Sequence, residues 1–456
     1  MSRRSISRRK FVRDAAAAGA LATLAPELLF AAKPGSGVTT RNPLYLPPTL
    51  SHSGTTVTAA PGTVALGGSR TTRALAYNGT LPGPTFRATR GAGVNVTLIN
   101  NLADETTIHW HGMVVPTIAD GHPMDAVMPG GSYAYSYTIN QRAALNWYHP
   151  HPHMMTGEQV CLGLAGAFIV NDAEEAALGL PSGAREVPLI IRDANFDRTG
   201  NLTYNPKSSG FLGNTPLVNG TLNPTLSVDR ALYRFRVLNG ANARVFRLAL
   251  SAGSMWLIGN DGGLLETSVP VNEVTVSPGE RLDLLIDFRS FALGAKPMLR
   301  CLGANWNLLE LNVANAVSDP STVPTTLSSI THLANPVTTR EFSFDGMSRI
   351  NGQEFEMDRI DFTVPRGVVE RWRFRTGGNA PHPVHIHGAS FQVQSRTGGR
   401  GQLFAWEGGW KDTVLLNDGE TVEVLIRFDA FPGIYLLHCH KLEHEDMGMM
   451  SNFEVI

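Results

Sequence analysis

Three stretches of the chain share one pattern of apolar and polar positions. VMPGGSYAYSYTI from Val127, VSPGERLDLLIDF from Val276 and LNDGETVEVLIRF from Leu416 each open on a turn sequence. Each then runs into alternating or continuous apolar residues. A period of two sends successive side chains to opposite faces, so each stretch predicts a β-strand with one buried face. A second marker precedes each strand: an Asn-Gly pair between apolar residues, in YNGTLPGPTF (Asn78), VNGTLNPTL (Asn219) and INGQEFEMDRI (Asn351). Asn-Gly tolerates the positive φ angles of a tight hairpin turn. The two markers keep the same order in all three copies, and the Asn-Gly pairs lie 141 and 132 residues apart. Such a period predicts three homologous units of short strands, most simply antiparallel β-sandwiches. Chance likeness of turn chemistry is the plainer explanation, and the shared order argues against it. The units are expected over residues 38–172, 180–315 and 330–456. The linkers NDAEEAALGLPSG and NAVSDPSTVPTT between them are rich in turn formers and small or polar residues.

Composition agrees with this layout. At 456 residues the chain has ample core for several domains, and 46 glycines with 28 prolines favour turn-rich β structure over helical bundles. A formal charge of −1 gives no sign of nucleic acid or an anionic membrane as a partner. The N-terminus stands apart. SRRKFVR (Ser7 to Arg13) precedes DAAAAGALATLAPELLFAAK, a basic start followed by a mildly apolar middle and small residues near Ala31 and Ala32. This is a signal-peptide layout, and twin arginines before an aromatic residue resemble the Tat export signal. Pro26 and Glu27 break the apolar run well short of the roughly 20 residues a membrane span needs. Residues 1–32 are therefore expected to be a cleaved Tat signal peptide, with a periplasmic mature protein and no stable membrane anchor. Their removal takes away six basic and two acidic side chains and leaves 32 basic against 37 acidic, a net charge of −5.

Histidines carry the chemistry. The first unit has IHWHG (His109, His111) and WYHPHPH (His149, His151, His153). The third has HPVHIHG (His382, His385, His387) and LLHCHKLEH (His438, His440, His444). The middle unit has the scaffold but no histidine. His52, His122, His153 and His332 fall outside the pattern and read as ordinary surface or core residues. His-x-His on a strand puts both imidazoles on one face, so four such pairs supply eight imidazoles if the first and third units face one another. Zinc takes four ligands, which makes eight too many for one zinc, and imidazole suits copper well. Cys439 lies between His438 and His440 and so points the other way. His382 and His444 can reach it, and a His₂Cys set with a weak, distant methionine is an electron-transfer copper site, with Met449 as the axial candidate. The back-to-back placement makes the backbone a short electron path from Cys439 to His438 and His440. Cys161, in VCLGLAGAFIV, and Cys301 read as buried core residues or as a pair, and the sequence leaves both open.

These four motifs resemble those of the three-domain multicopper oxidases, the laccase-like family, over nearly the whole mature chain. The resemblance implies an all-β fold of three cupredoxin-like Greek-key β-sandwich domains and four copper ions. Carried over by motif, His109 and His385 would hold the type 2 copper. His111, His149 and His440 would hold one type 3 copper, and His151, His387 and His438 the other. His382, Cys439, His444 and Met449 match the type 1 site. Asp120, eleven residues after His109, and Glu445, next to His444, resemble the family's acidic proton donors, since reducing dioxygen to water consumes four protons. The bland alternatives are a loop carboxylate in ADGHP and a solvated charge in EHED.

The implied reaction couples one-electron oxidation of phenols or aromatic amines to reduction of dioxygen. Oxidation of Cu(I), as a periplasmic metallo-oxidase, is the alternative. Relatives of that kind carry a Met-rich insertion in the third domain, whereas residues 316–346 here contain no methionine. Met154, Met155 and Met447 could still assist with Cu(I). A copper nitrite reductase lacks four His-x-His pairs, and a copper-free division scaffold would not need the complete ligand set. A copper store using the tail DMGMMS would not turn over oxygen.

Overall fold

The computed structural model describes residues 41–377 and 381–456. The export signal expected over residues 1–32 lies outside the described residues. The fold is all-β and of cupredoxin type, and its repetition shows at the level of single hydrogen bonds. Asn78, Asn219 and Asn351 have φ of 50°, 47° and 53°, each followed by a glycine at 73°, 68° and 75°. In each copy the Asn side chain bridges two residues of a neighbouring strand. It accepts from the amides of Thr58, Ile190 and Ser343, and donates to the carbonyls of Thr56, Pro188 and Glu341. The second marker repeats as faithfully. Gly131, Glu280 and Glu420 donate to the carbonyls of Met128, Ser277 and Asn417, closing the same turn three times over. Only an Asn-Gly pair supplies positive φ together with a side chain able to staple the turn.

Each unit pairs two sheets. One runs Arg70–Tyr77, Ser53–Gly67, Gly93–Asn100, Ser132–Thr138 in the first unit and Arg349–Ile350, Thr338–Asp345, Val369–Thr376, Thr421–Arg427, Phe391–Thr397 in the third. The middle unit uses the same order, with Glu186–Phe196, Leu232–Asn239 and Arg281–Asp287 at its centre. The expected sandwiches are not purely antiparallel. In every unit the first long strand pairs in parallel with the strand beside it at the sheet's centre, Ser53–Gly67 with Gly93–Asn100, Glu186–Phe196 with Leu232–Asn239 and Thr338–Asp345 with Val369–Thr376. That central strand pairs antiparallel with the strand after the glycine turn. The cause is the Asn-Gly excursion to the sheet's outer edge. It returns the chain across the sandwich, so the next strand runs in the same direction as the first, and parallel pairing needs such a crossover.

The other sheets of the first and third units carry the histidines. They comprise Thr49–Leu50, Gly83–Thr89, Gly166–Asn171, Ala144–His149, His109–His111 in one, and Phe362–Val364, Met450–Val455, Gly433–Cys439, His382–Ile386, Thr413–Leu416 in the other. Three main cores fill the sandwiches. Phe86, Trp110, Tyr148 and Phe168 pack in the first, Phe235, Leu284 and Leu309 in the second, Trp372, Phe391 and Phe453 in the third. Cys439 and Met449 belong to the third core. Cys161 and Cys301 are both buried free thiols rather than a pair.

The linkers are not slack. Asp172 caps the short helix Ala173–Ala176, and Glu175 from that helix enters the middle unit beneath Arg234 and Arg236, at 2.8 Å from each. Burial opposes the Glu175 charge, but Arg236 and Arg234 outweigh it and bring the carboxyl down to about 2. A depressed carboxylate adds stability that is complete above its unfolded value and is lost as pH falls through the folded one. Glu175→Gln should cost about 3 kcal/mol at neutral pH. Denaturant unfolding of variant and parent should show that gap closing between pH 4.5 and about 2. An undiminished gap at the acid end would dismiss the ion pair as its source.

Candidate metal centre

Histidines of the two sheets face one another, and eight imidazoles converge between the first and third units. His109 and His111 lie in one strand, paired with His149 and Trp147 of the next. His385 pairs with His438 across two strands of the third unit. Only His109–His111 keeps both members of a pair inside a strand. His151, His387 and His440 each lie just past a strand end. All eight residues are at most 1% exposed.

Most rings have one nitrogen tied outward. His109 Nδ1 donates to the Asp120 carbonyl (2.8 Å), His385 Nδ1 to the Asp412 carbonyl (2.8 Å) and His149 Nδ1 to the Pro150 carbonyl (2.9 Å). His387 Nδ1 donates to Asp120 Oδ2 at 2.7 Å. The remaining nitrogens face one another. His109 Nε2 and His385 Nε2 are 3.4 Å apart, His387 Nε2 and His438 Nε2 3.0 Å, His151 Nε2 and His438 Nε2 3.5 Å. His111 Nδ1, His149 Nε2 and both nitrogens of His440 are buried with no partner. Burial first, and neighbouring imidazoles after it, depress His149, His151, His387, His438 and His440 well below the usual imidazole range, with Glu445 opposing the shift at His151, so these rings are neutral. Buried, neutral lone pairs aimed at each other without protons between them are what a metal cluster requires.

Three all-histidine donor groups form within this space: His109, His111 and His149; His109, His385 and His387; and His151, His387 and His438; a fourth joins His111 and His385 with Asp412. His440 adjoins them through ring contacts, 4.8 Å to His111 and 5.3 Å to His149 between centroids.

On the other face of the Gly433–Cys439 strand, Cys439 meets His382 and His444. Sγ lies 3.5 Å from His382 Nδ1 and 3.7 Å from His444 Nδ1, and the two nitrogens are 3.2 Å apart. Donors at 2.0–2.3 Å from one ion in a trigonal plane lie about 3.5–3.8 Å from each other, so the triangle fits a single metal. Burial pushes the Cys439 thiol up to about 12, and burial with Lys441 brings His382 down to about 3. The imidazoles are thus free donors, and a metal ion is what would make the sulfur a thiolate. The Cys439 amide donates to the Met449 carbonyl (3.1 Å), which sets Met449 alongside the sulfur-bearing residue in the same core.

The two carboxylates named from sequence are buried against the cluster. Asp120 spans His387 and His109, and Glu445 sits between His438 Nδ1 (3.2 Å) and His151 Nδ1 (3.5 Å). Burial raises Glu445, while His151 opposes the shift. The four remaining histidines stay out of every donor group. His122 accepts from Met124 and contacts Asn452, His52 contacts the Arg87 carbonyl, His332 pairs with exposed Glu266 and His153 packs on Phe355. Sequence reasoning passed over Asp412, which touches His111 and His385, and Thr413 and Arg281 beside it. The available signal was a charged pair, Lys411-Asp412, opening the wholly buried strand Thr413–Leu416.

Fold and donor set together define a class, the copper oxidoreductases built from cupredoxin domains. A family model described as multicopper oxidase matches residues 322–456, and another of the same description matches 58–175. A multicopper oxidase of Staphylococcus haemolyticus is 35% identical over 84% of this chain and 83% of its own length. A laccase of Bacillus subtilis is 31% identical over 84% and 90%. The crystal structure of the multicopper oxidase McoA of Aquifex aeolicus superposes with a TM-score of 0.86 at 36% identity, covering 91% of this chain and 99% of that one. The cell division protein FtsP of Shigella dysenteriae is 31% identical over 99% of both chains. The chain belongs to the multicopper oxidase family.

Because Cys439 and the eight cluster imidazoles occupy opposite faces, they are separable. Cys439→Ser should abolish the thiolate-to-copper absorption that makes such sites blue, yet keep the copper bound by the histidines. Elemental analysis beside the visible spectrum checks this. Loss of all copper from a folded variant would mean the two sites form one unit.

Proposed function

We propose that this protein couples one-electron oxidation of phenols or aromatic amines at Cys439 to the four-electron reduction of dioxygen to water at the histidine cluster. The observation that carries the reading is the direct covalent link between the sites. Cys439 is bonded to His438 and His440, one on each side, so the path from sulfur to cluster runs through a single strand end. Copper bound at both places would supply the redox chemistry, accepting electrons singly at one and delivering them to dioxygen at the other. The residues would hold four ions: one with His382, Cys439, His444 and Met449, one with His109 and His385, one with His111, His149 and His440, and one with His151, His387 and His438.

The chain's own part in the chemistry is binding, shielding and proton supply. Burial of the donors keeps bulk water from the cluster. Asp120 and Glu445 each touch two ligand imidazoles and act as the groups that hold protons for the reduction of dioxygen, four per molecule. A copper-free scaffold role would leave no reason for eleven buried His and Cys donors aimed at two foci. Oxidation of Cu(I) is the second reading, favoured by Met154, which is half exposed beside the histidine-bearing loop at His153. Export through the Tat pathway to the periplasm follows from Arg8 and Arg9 ahead of Phe11. Among the described residues no helix is long and apolar enough to cross a membrane.

The copper-loaded protein should contain four coppers per chain and be blue. Turnover on a substituted phenol should exceed turnover on Cu(I) when the two are measured side by side. One copper per chain, or zinc in preference, would sink the reading, and the reverse turnover order would move the substrate to Cu(I). For export, Arg8→Lys with Arg9→Lys should leave precursor in the cytoplasm. Unchanged periplasmic activity in cells lacking Tat would contradict that assignment.

A further inference from the structure

The middle unit carries no histidine, yet it reaches the cluster. Its turn after Val276 puts Gly279 (φ 83°) so close that a Cβ there would stand 3.1 Å from both His111 and His440. Two residues on, Arg281 is fully buried and clasps Asp412 of the third unit. Nη1 donates to Oδ1 at 2.7 Å and Nη2 to Oδ2. The other guanidinium protons go to the carbonyls of Leu145, Gly279 and Asp261. Asp261 in turn holds Lys411, at 2.8 Å, and Lys411 reaches Glu280 at 3.1 Å. Five buried charges thus lock the middle unit against the strand that begins at Thr413.

We propose that Asp412 is a positioning residue that sets the tautomers of two cluster imidazoles at once, and that Arg281 of the middle unit holds it in register. The inference rests on the reading of the cluster as a copper site. His111 and His385 come from different units and stack at 3.7 Å with 10° between their planes. Asp412 Oδ1 lies 3.1 Å from His111 Nε2 and can only accept, so His111 carries its proton there and turns Nδ1 into the cluster. The main-chain carbonyl of the same residue accepts from His385 Nδ1, so His385 presents Nε2, which faces His109. The stacked rings therefore offer opposite nitrogens, to different ions. Thr413 reinforces both choices. Its hydroxyl proton goes to Asp412 Oδ1 (2.9 Å), so toward His385 Nδ1 (3.1 Å) and His111 Nε2 (3.2 Å) its oxygen acts as an acceptor. Ligating imidazoles are commonly fixed through their other nitrogen in this way, and loss of the fixing group weakens metal binding by about 10- to 100-fold.

The Asp412 carboxylate lies 3.1 Å from His111 Nε2 and 3.5 Å from His385 Nδ1, but His385 keeps its main-chain bond whatever the side chain, so substitution bears chiefly on His111. The test uses the full-length protein with two variants, Asp412→Ala and Asp412→Asn. The copper concentration needed to fill the cluster is read from the magnetic signal and copper content, with the blue absorption of the Cys439 site as an internal control. Asp412→Ala should keep the blue band and need about 10- to 100-fold more copper to fill the cluster. Asp412→Asn keeps an oxygen acceptor for His111 but leaves Arg281 without its counter-charge. It should fill at close to the parent's copper concentration while unfolding at a lower temperature. The proposal is overturned if folded Asp412→Ala fills like the parent. It is also overturned if Asp412→Asn is shifted by 10-fold or more, which would make the charge, not the acceptor, the active feature. If Asp412→Ala does not fold, the Asp412→Asn result decides alone. Failure of the copper reading itself would show separately, as a parent protein without blue absorption or cluster copper.

Discussion

A strand sends neighbouring side chains to opposite faces, and this rule governs the architecture of the whole molecule. At Cys439 and His438 it puts sulfur on one face of the Gly433–Cys439 strand and imidazole on the other. One face lies in the core of the third sandwich, so the cysteine site is built within one unit, from His382, His444 and Met449. The other face turns toward the first unit. The imidazoles there stay incomplete until that unit brings its own, His109, His111, His149 and His151. Three sandwiches follow from this geometry: two to supply imidazoles, and one to hold them together.

Burying so many nitrogen donors is costly unless each has a partner. The protein meets that cost asymmetrically. Outward nitrogens, except that of His440, are matched with main-chain carbonyls or with Asp120, Asp412 and Glu445, while inward ones are left to face each other. The acids differ in what surrounds them. Asp412 would be pushed up by burial alone, but Arg281 and His111 outweigh that and hold it as a carboxylate. Glu445 has no guanidinium beside it among the described residues, and burial raises it. A fixed anion suits orientation, and a raised acid suits the handling of protons.

Much of this was legible in the sequence because its signals are local. The Asn-Gly and glycine-turn markers depend on φ angles that few residue types adopt, so they survive as readable text in all three units. The His-x-His spacing follows directly from strand periodicity. Parallel pairing within each sheet was not legible, because it depends on where a crossover lands rather than on any residue's preference. Asp412 and Arg281 were missed for a related reason. They lie 131 positions apart, and in the sequence each resembles an ordinary surface charge next to a strand. Only the closing of the units turns them into a buried pair.

The depth of the ligands has a consequence for time rather than for equilibrium. No donor residue among the His, Cys and Met set is more than 1% exposed. An ion held between the first and third units is reached only past buried side chains, so its exchange is slow compared with that at an exposed site. The seam between these units is clamped by the buried charges around Arg281, which makes opening a rare event. Filling the cluster of the folded protein is then slow, and so is emptying it. Once filled, the molecule would keep its ions through surroundings that compete strongly for copper, because its hold on them is a matter of rates.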